Sequence, residues 1–408
     1  MRVWPHAPNK SRCTPPAKDL MVAKQAKPTQ GKFPDRLDAI AGDAISAGAE
    51  LGTITVEIEA GHIGQIHEGV QEGAWTIPKG WTLAPGLVDL QVNGLAGIHL
   101  ASRPDRIDEV SRLLPRSGVT AFLPTLPSPS KTEVLGLSAS LEALARTDML
   151  AVGAEPLGIH LEGPAISPAR AGAHPEERIC SPAETIDLLD SEFVRLVTLA
   201  PEVEGASSLI NEAAGRGITL AAGHSNGTYE DGLDAIESGV RLLTHTFNAM
   251  RPLGHREPGL VGAYLEDPRT TICVIADGVH VVPAVVSLLW RLKGPRSIAF
   301  VSDAIALTQA EPDRPGANES GSNRPAPTLP LMGGVCALGE GISGLADYGC
   351  APIAELCAAA SATPAAALGI DDRGSIGIGQ VADLVAVDSA GFPRATWCRG
   401  KLAWPVIS

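Results

Sequence analysis

Four hydrophobic runs lead into residues that can bind a cation or carry a proton. Glu162 follows LGIHL, His224 follows ITLAAG, His245 follows VRLLT, and Asp303 lies just past SIAFV. Apolar runs of this length bounded by glycine read as buried parallel strands. Carboxylates and imidazoles are costly to bury unpaired, so packing alone does not place them at strand ends. At the C-terminal mouth of a (β/α) barrel the four would converge on one point, where barrel enzymes keep their chemistry. Two neutral imidazoles and one carboxylate suit Zn²⁺, with a position left open for water. The chemistry this predicts is metal-assisted hydrolysis.

The elements that must position these residues alternate along the chain. GVTAFLPTL (118–126) reads as a strand, KTEVLGLSASLEALAR (131–146) as an amphipathic helix and LGIHLEG (157–163) as a strand. Ser181 stands as an N-cap before Pro182 at the first helical position of SPAETIDLLD. VRLVTLAPE, ITLAAGH, RLLTHTFN, TICVIADG and SIAFVSDA continue the strand series. This rhythm predicts an α/β fold, a (β/α)8 barrel over residues 84–371. TITVEIEA (53–60) alternates as a strand, and GSIGIGQVADLVAVDSAG and ATWCRGKLAW add strands near the C-terminus. Segments 37–83 and 372–408 are thus expected to build a small β-domain from both chain ends. Residues 1–36, rich in Pro and Lys, are expected to be a disordered tail, and QAEPDRPGANESGSNRPAPTLP (309–330) a flexible insert.

The formal charge of −14 over 408 residues argues against nucleic acid and anionic membranes as partners. It argues only weakly against a phosphorylated substrate, because a few local donors can hold a phosphate. Seven scattered cysteines without a CxxC pair read as reduced thiols. No apolar stretch reaches the roughly 18 residues that span a membrane. The N-terminus has no apolar signal core, so a cytoplasmic enzyme is expected.

The segments APGLVDLQVNG (84–94), GIHLEGPAISPARAGAH (158–174), LAPE (199–202), AGHSNGTYED (222–231), THTFNAMRPLGHREPGLVGA (244–263), IADGVHV (275–281) and VSDAIAL (301–307) together carry a specific resemblance. The chain resembles the N-acetylglucosamine-6-phosphate deacetylase family of the amidohydrolase superfamily, whose fold is a TIM-like barrel with a small β-sandwich. That resemblance implies Glu162, His224 and His245 as metal ligands and Asp303 as the catalytic acid–base. His160, two residues before Glu162, is assigned a supporting role. Many amidohydrolases carry His-x-His after the first barrel strand; here Gln91-Val92-Asn93 stands there. Amides are poor zinc ligands, so one divalent ion per subunit, Zn²⁺ in the first instance, is expected. The resemblance further implies that His174 meets the acetyl oxygen, with Ala173 lining the site. Asn248 and Ala249 would be backbone donors to the sugar phosphate, and Arg256 would reach the phosphate of a neighbouring subunit in a homodimer. His280, with the Asp277 turn, would meet the sugar hydroxyls, and Ile342 and Ser343 the substrate loop. ISG (342–344) is taken as the counterpart of the family's LSGS segment, with the helix that follows it missing.

The implied reaction is hydrolysis of N-acetylglucosamine 6-phosphate to glucosamine 6-phosphate and acetate. Two other readings remain open: a related N-acetylhexosamine 6-phosphate such as the galactosamine epimer, and a non-catalytic homologue that only binds sugar phosphate. A cyclic amidase is disfavoured, because the His-x-His pair and a strand-end lysine for a second metal are missing.

Overall fold

A computed structural model describes residues 33–147, 153–308 and 332–405. Its centre is a ring of eight parallel strands: Leu87–Val92, Val119–Pro127, Ile159–Glu162, Val194–Leu199, Thr219–Ala222, Leu242–Leu243, Thr271–Ile275 and Ile298–Val301. They are called barrel strands one to eight below. Strand one pairs with strand two, and a parallel bridge between Val92 and Ala304 joins the two ends of the series. Helices follow most strands and cover the outside, for the apolar residues of each strand must be shielded on both faces. Lys131–Ala145 shows how the sequence directs this. Ser130 and Glu133 form a capping box at its start, and Val134, Leu137, Leu141 and Leu144 recur at helical spacing on its buried face. Ser181 caps Pro182–Ile186 in the same way.

The chain ends build one further sheet, ordered Lys401–Trp404, Pro393–Cys398, Leu384–Val387, Thr82–Pro85, Ala39–Ser46, Ala49–Glu59 and His62–Glu68, with Trp75–Thr76 added beside Ala39–Ser46. Ile40, Ile54, Ile63, Leu83, Leu384 and Trp397, drawn from six of these strands, share one apolar cluster, so the sheet curls around its own core. Sheet and barrel meet at Gly86, between Thr82–Pro85 and barrel strand one. A Cβ there would lie 2.1 Å from Thr120 Oγ1, a contact only glycine avoids.

Two expectations change. The N-terminal tail was expected to run through residue 36, yet Phe33 is 6% exposed and stacks on Trp81 against the sheet's core. The helix expected to be missing is present as Leu338–Tyr348. Leu338, Ile342 and Leu345 follow i, i+4, i+7 spacing and form its buried stripe. ISG therefore lies inside a helix and is not the loop that precedes one. The expected insert 309–330 and residues 1–32 of the tail lie outside the described residues. Among the described residues no cysteine is in a disulfide, and no helix is long and apolar enough to cross a membrane.

Candidate active site

The C-terminal ends of the barrel strands bring the four leading residues together. Glu162 closes strand three, His224 and His245 lie two residues beyond strands five and six, and Asp303 lies two beyond strand eight. All four are at most 9% exposed. His224, His245 and Asp303 have φ of 47°, 24° and 49°. Positive φ is uncommon outside glycine, and its recurrence at a site marks backbone bent to aim side chains.

Three donor atoms form a small triangle. Glu162 Oε1 is 2.8 Å from His245 Nε2 and 3.2 Å from His224 Nε2, and the two imidazole nitrogens are 3.0 Å apart. His224 Nδ1 lies 3.0 Å from the Arg170 carbonyl. A carbonyl only accepts, so Nδ1 carries the proton and the Nε2 lone pair faces inward. Converging lone pairs beside a carboxylate are unfavourable unless a cation sits among them. Separations near 3 Å are what donors show when they share one ion at about 2.0–2.2 Å. The residues fit a divalent metal.

His174 lies close by: single ligand atoms of Glu162, His174 and His224 all fall within 4.8 Å of one another. Its position differs from that of the two imidazoles on Oε1, however. His174 Nε2 faces the other carboxylate oxygen, Oε2, at 3.6 Å, while Nδ1 is held by Ser128 Oγ at 2.7 Å. Oε1, His224 and His245 form the tighter set, and His174 stands at its edge.

Gln91 and Asn93 turn N–H groups toward the carboxylates. Gln91 Nε2 donates to Glu162 Oε1 at 2.9 Å, and Asn93 Nδ2 donates to Asp303 Oδ1 at 2.8 Å. N–H groups so directed cannot ligate a cation. Burial first, and the Glu162 charge second, push the Asp303 carboxyl up to about 8. Burial would raise Glu162 too, but the imidazoles of His174, His224 and His245 around it hold it well below the usual carboxylate range. Of the two acids, Glu162 is held toward its charged form and Asp303 toward its protonated form.

A polar belt underlies this layer. His160 Nε2 lies 2.8 Å from Thr198 Oγ1, which is 2.7 Å from Thr244 Oγ1, and His160 Nδ1 lies 3.3 Å from Thr125 Oγ1. Val92 N donates to Thr125 Oγ1 at 3.1 Å, so the belt crosses from strand one to the residue before His245. Burial pushes His160 down to about 4, which keeps its ring neutral and able both to donate and to accept.

Other expected residues divide. The Asp277 carboxylate accepts from Val279 N and His280 N at 2.9 Å each and lies 2.7 Å from His280 Nδ1. Val335 N adds a bond at 3.2 Å. Asp277 thus fixes the His280 ring through Nδ1. Asn248 N already donates to His245 O at 3.0 Å, so the expected pair of backbone donors reduces to Ala249. Ala173 is exposed beside His174, and Arg256 is exposed ahead of helix Gly259–Glu266. Ile342 and Ser343 do not belong to the site: Ile342 is 1% exposed in the barrel's apolar core, and Ser343 Oγ donates to Ala390 O at 2.9 Å. The helix that contains them turns both away from a substrate loop.

Sequence reasoning passed over Ser128, just past strand two, although strand-end position was the signal that found the others. It also passed over Glu202, which accepts from Ser225 Oγ at 2.7 Å and Asn226 N at 2.6 Å and so braces the His224 loop.

Residues 82–403 match the amidohydrolase family model. The chain is 33% identical to N-acetylglucosamine-6-phosphate deacetylase of Vibrio furnissii, over 89% of this chain and 91% of the relative. It is also 33% identical to N-acetylgalactosamine-6-phosphate deacetylase of Escherichia coli O157:H7, over 79% and 87%. Among solved structures, an aspartate-to-alanine variant of the Mycobacterium smegmatis N-acetyl-D-glucosamine-6-phosphate deacetylase in complex with N-acetyl-D-glucosamine-6-phosphate superposes with a TM-score of 0.78 at 28% identity, covering 90% of this chain and 99% of that one. With the sequence match running through every strand-end residue described above, the chain belongs to the amidohydrolase family, in the branch of the N-acetylglucosamine-6-phosphate deacetylases.

Proposed function

We propose that the protein hydrolyses N-acetylglucosamine 6-phosphate to glucosamine 6-phosphate and acetate, as a homodimeric, cytoplasmic enzyme with one Zn²⁺ per subunit. The observation that carries this is the triangle of Glu162 Oε1, His224 Nε2 and His245 Nε2, with Asp303 brought to the same strand-end layer. When bound there, a divalent ion polarises the acetyl carbonyl and brings the pKa of water down toward about 7. Asp303, held by Asn93, takes the proton of the attacking water and returns it to the departing amine nitrogen. The bond between acetyl carbon and nitrogen breaks as that proton arrives, leaving acetate and the free amine. His174, fixed through Nδ1 by Ser128, directs Nε2 at the acetyl oxygen, where negative charge grows. His280, locked by Asp277, meets the sugar hydroxyls, and the Ala249 N–H and a neighbouring subunit's Arg256 meet the phosphate.

The galactosamine epimer is the second reading, supported by the E. coli relative that is equally similar in sequence. A binding-only descendant is disfavoured, because a lost reaction gives no reason to keep the triangle and Asp303 together. The test is release of glucosamine 6-phosphate by purified protein supplied with Zn²⁺, beside the galactosamine epimer. Turnover that stops on chelation is expected; a protein that binds metal yet hydrolyses neither sugar phosphate would sink the proposal.

A further inference from the structure

We propose that Asp89 and Ser302 are positioning residues for the reaction: together they fasten the seam between barrel strands one and eight, and so hold Asp303 at the angle its proton transfer needs. Their role depends on Asp303 being the acid–base, as proposed above; the seam itself does not.

The ring of strands is not evenly closed. Every other neighbouring pair is joined by a parallel ladder, whereas strands one and eight share, among the described residues, the single bridge of Val92 with Ala304. Side chains make up the difference. Asp89, fully buried on strand one, accepts at Oδ1 from Ser302 N at 3.1 Å and from Gln91 N at 3.3 Å. Ser302 Oγ donates to Gln91 O at 3.4 Å and accepts from Ala304 N at 3.1 Å. Asn93 N then donates to Ala304 O at 2.8 Å. The lacing thus runs from below Asp303 to above it.

Asp303 is the residue that this lacing encloses. The peptide after it is held at both ends: Gly334 N donates to Asp303 O at 2.8 Å, and the Ala304 N–H reaches Ser302 Oγ. A Cβ on Gly334 would lie 1.8 Å from Ser302 O, so only glycine lets the outer segment come this close. Asp303 has φ of 49°, and a backbone of that kind persists only where its surroundings over-determine it. The aim of the carboxyl then follows from this bend and from the Asn93 amide at 2.8 Å. Asp89 Oδ2, by contrast, has no hydrogen-bond partner among the described residues. Half of a carboxylate is buried bare, a cost that packing alone would avoid. What offsets it lies at Oδ1, where one atom takes two backbone N–H groups across the gap.

The experiment joins steady-state kinetics on N-acetylglucosamine 6-phosphate to metal content and crystal structures of the variants. Ser302→Ala and Asp89→Ala are expected to lower kcat by about 10- to 100-fold, with KM and the bound ion kept. Asp89→Asn should keep most of the wild-type kcat, because an amide oxygen can accept both N–H groups. In an Asp303→Asn background, Ser302→Ala should cost little further, since the group it positions is already gone. A residue that only supports the fold would cost the same in both backgrounds. Wild-type kcat in Ser302→Ala would overturn the proposal. So would an equal loss in both backgrounds, or an equal loss in Asp89→Asn and Asp89→Ala. Should Asp89→Ala fail to fold, Ser302→Ala carries the test, because it removes one oxygen only. Should the wild type turn over no sugar phosphate, the deacetylase reading fails and the crystal structures decide the seam: an Asp303 that leaves positive φ in Ser302→Ala supports it, and an unmoved Asp303 overturns it.

Discussion

Across the barrel mouth, strands three, five and six present lone pairs, whereas strands one and eight present amide N–H groups and a carboxyl pushed toward its protonated form. The first half can hold a cation; the second holds Asp303, the proposed acid–base. Gln91 and Asn93 each donate an amide N–H to a carboxylate of the site. This division accords with the one-ion centre proposed above.

Removing either half should produce different failures. Glu162→Gln takes the only charge from the triangle, so metal content and turnover should be lost together, as atomic absorption and rate measurements would show; a variant that still retains one tight ion would break the division. Asp303→Asn should lower kcat by about 10²- to 10⁴-fold while one ion per chain is kept. Loss of the ion in that variant would make Asp303 a ligand. Asn93→Ala should cost roughly 10- to 100-fold in kcat with metal affinity held, because it orients the acid and not the triangle. The smallest effect sharpens the boundary of the mouth. Ser343→Ala should leave KM unchanged and shift stability by no more than about 1 kcal/mol, the worth of one exposed hydrogen bond to Ala390. A raised KM would return Ser343 to the substrate loop.

Much of the barrel was legible because its strands are buried on both faces. Runs such as LGIHL and SIAFV can be little else when a charged or imidazole residue stops them. The same pattern found Glu162, His224, His245 and Asp303, whose types are costly to bury without a purpose. What escaped was whatever depends on partners distant in sequence. Asn248 reads as a backbone donor until the fold turns its N–H to His245 O. Asp277 reads as a pocket residue until the tight turn points His280 at it. Ile342 is different, since its spacing from Leu338 and Leu345 was visible in the chain; the likeness of ISG to a family loop outweighed a helical period that was already there. Thr125, Thr198 and Thr244 look like ordinary strand residues, and only the closed ring joins them through His160.

The positive φ angles of His224, His245 and Asp303 restrict the alphabet from which this centre could be rewritten. Besides glycine, Asp, Asn and His enter that region most readily, while other side chains pay roughly 1–2 kcal/mol in clash with the backbone. A glutamate or cysteine at 224, although a sound zinc ligand in isolation, would meet that cost before coordinating anything. Glu162, ending a regular strand, carries no such restriction. Changes of metal preference by ligand exchange should therefore enter through position 162, and the two histidine positions should resist them.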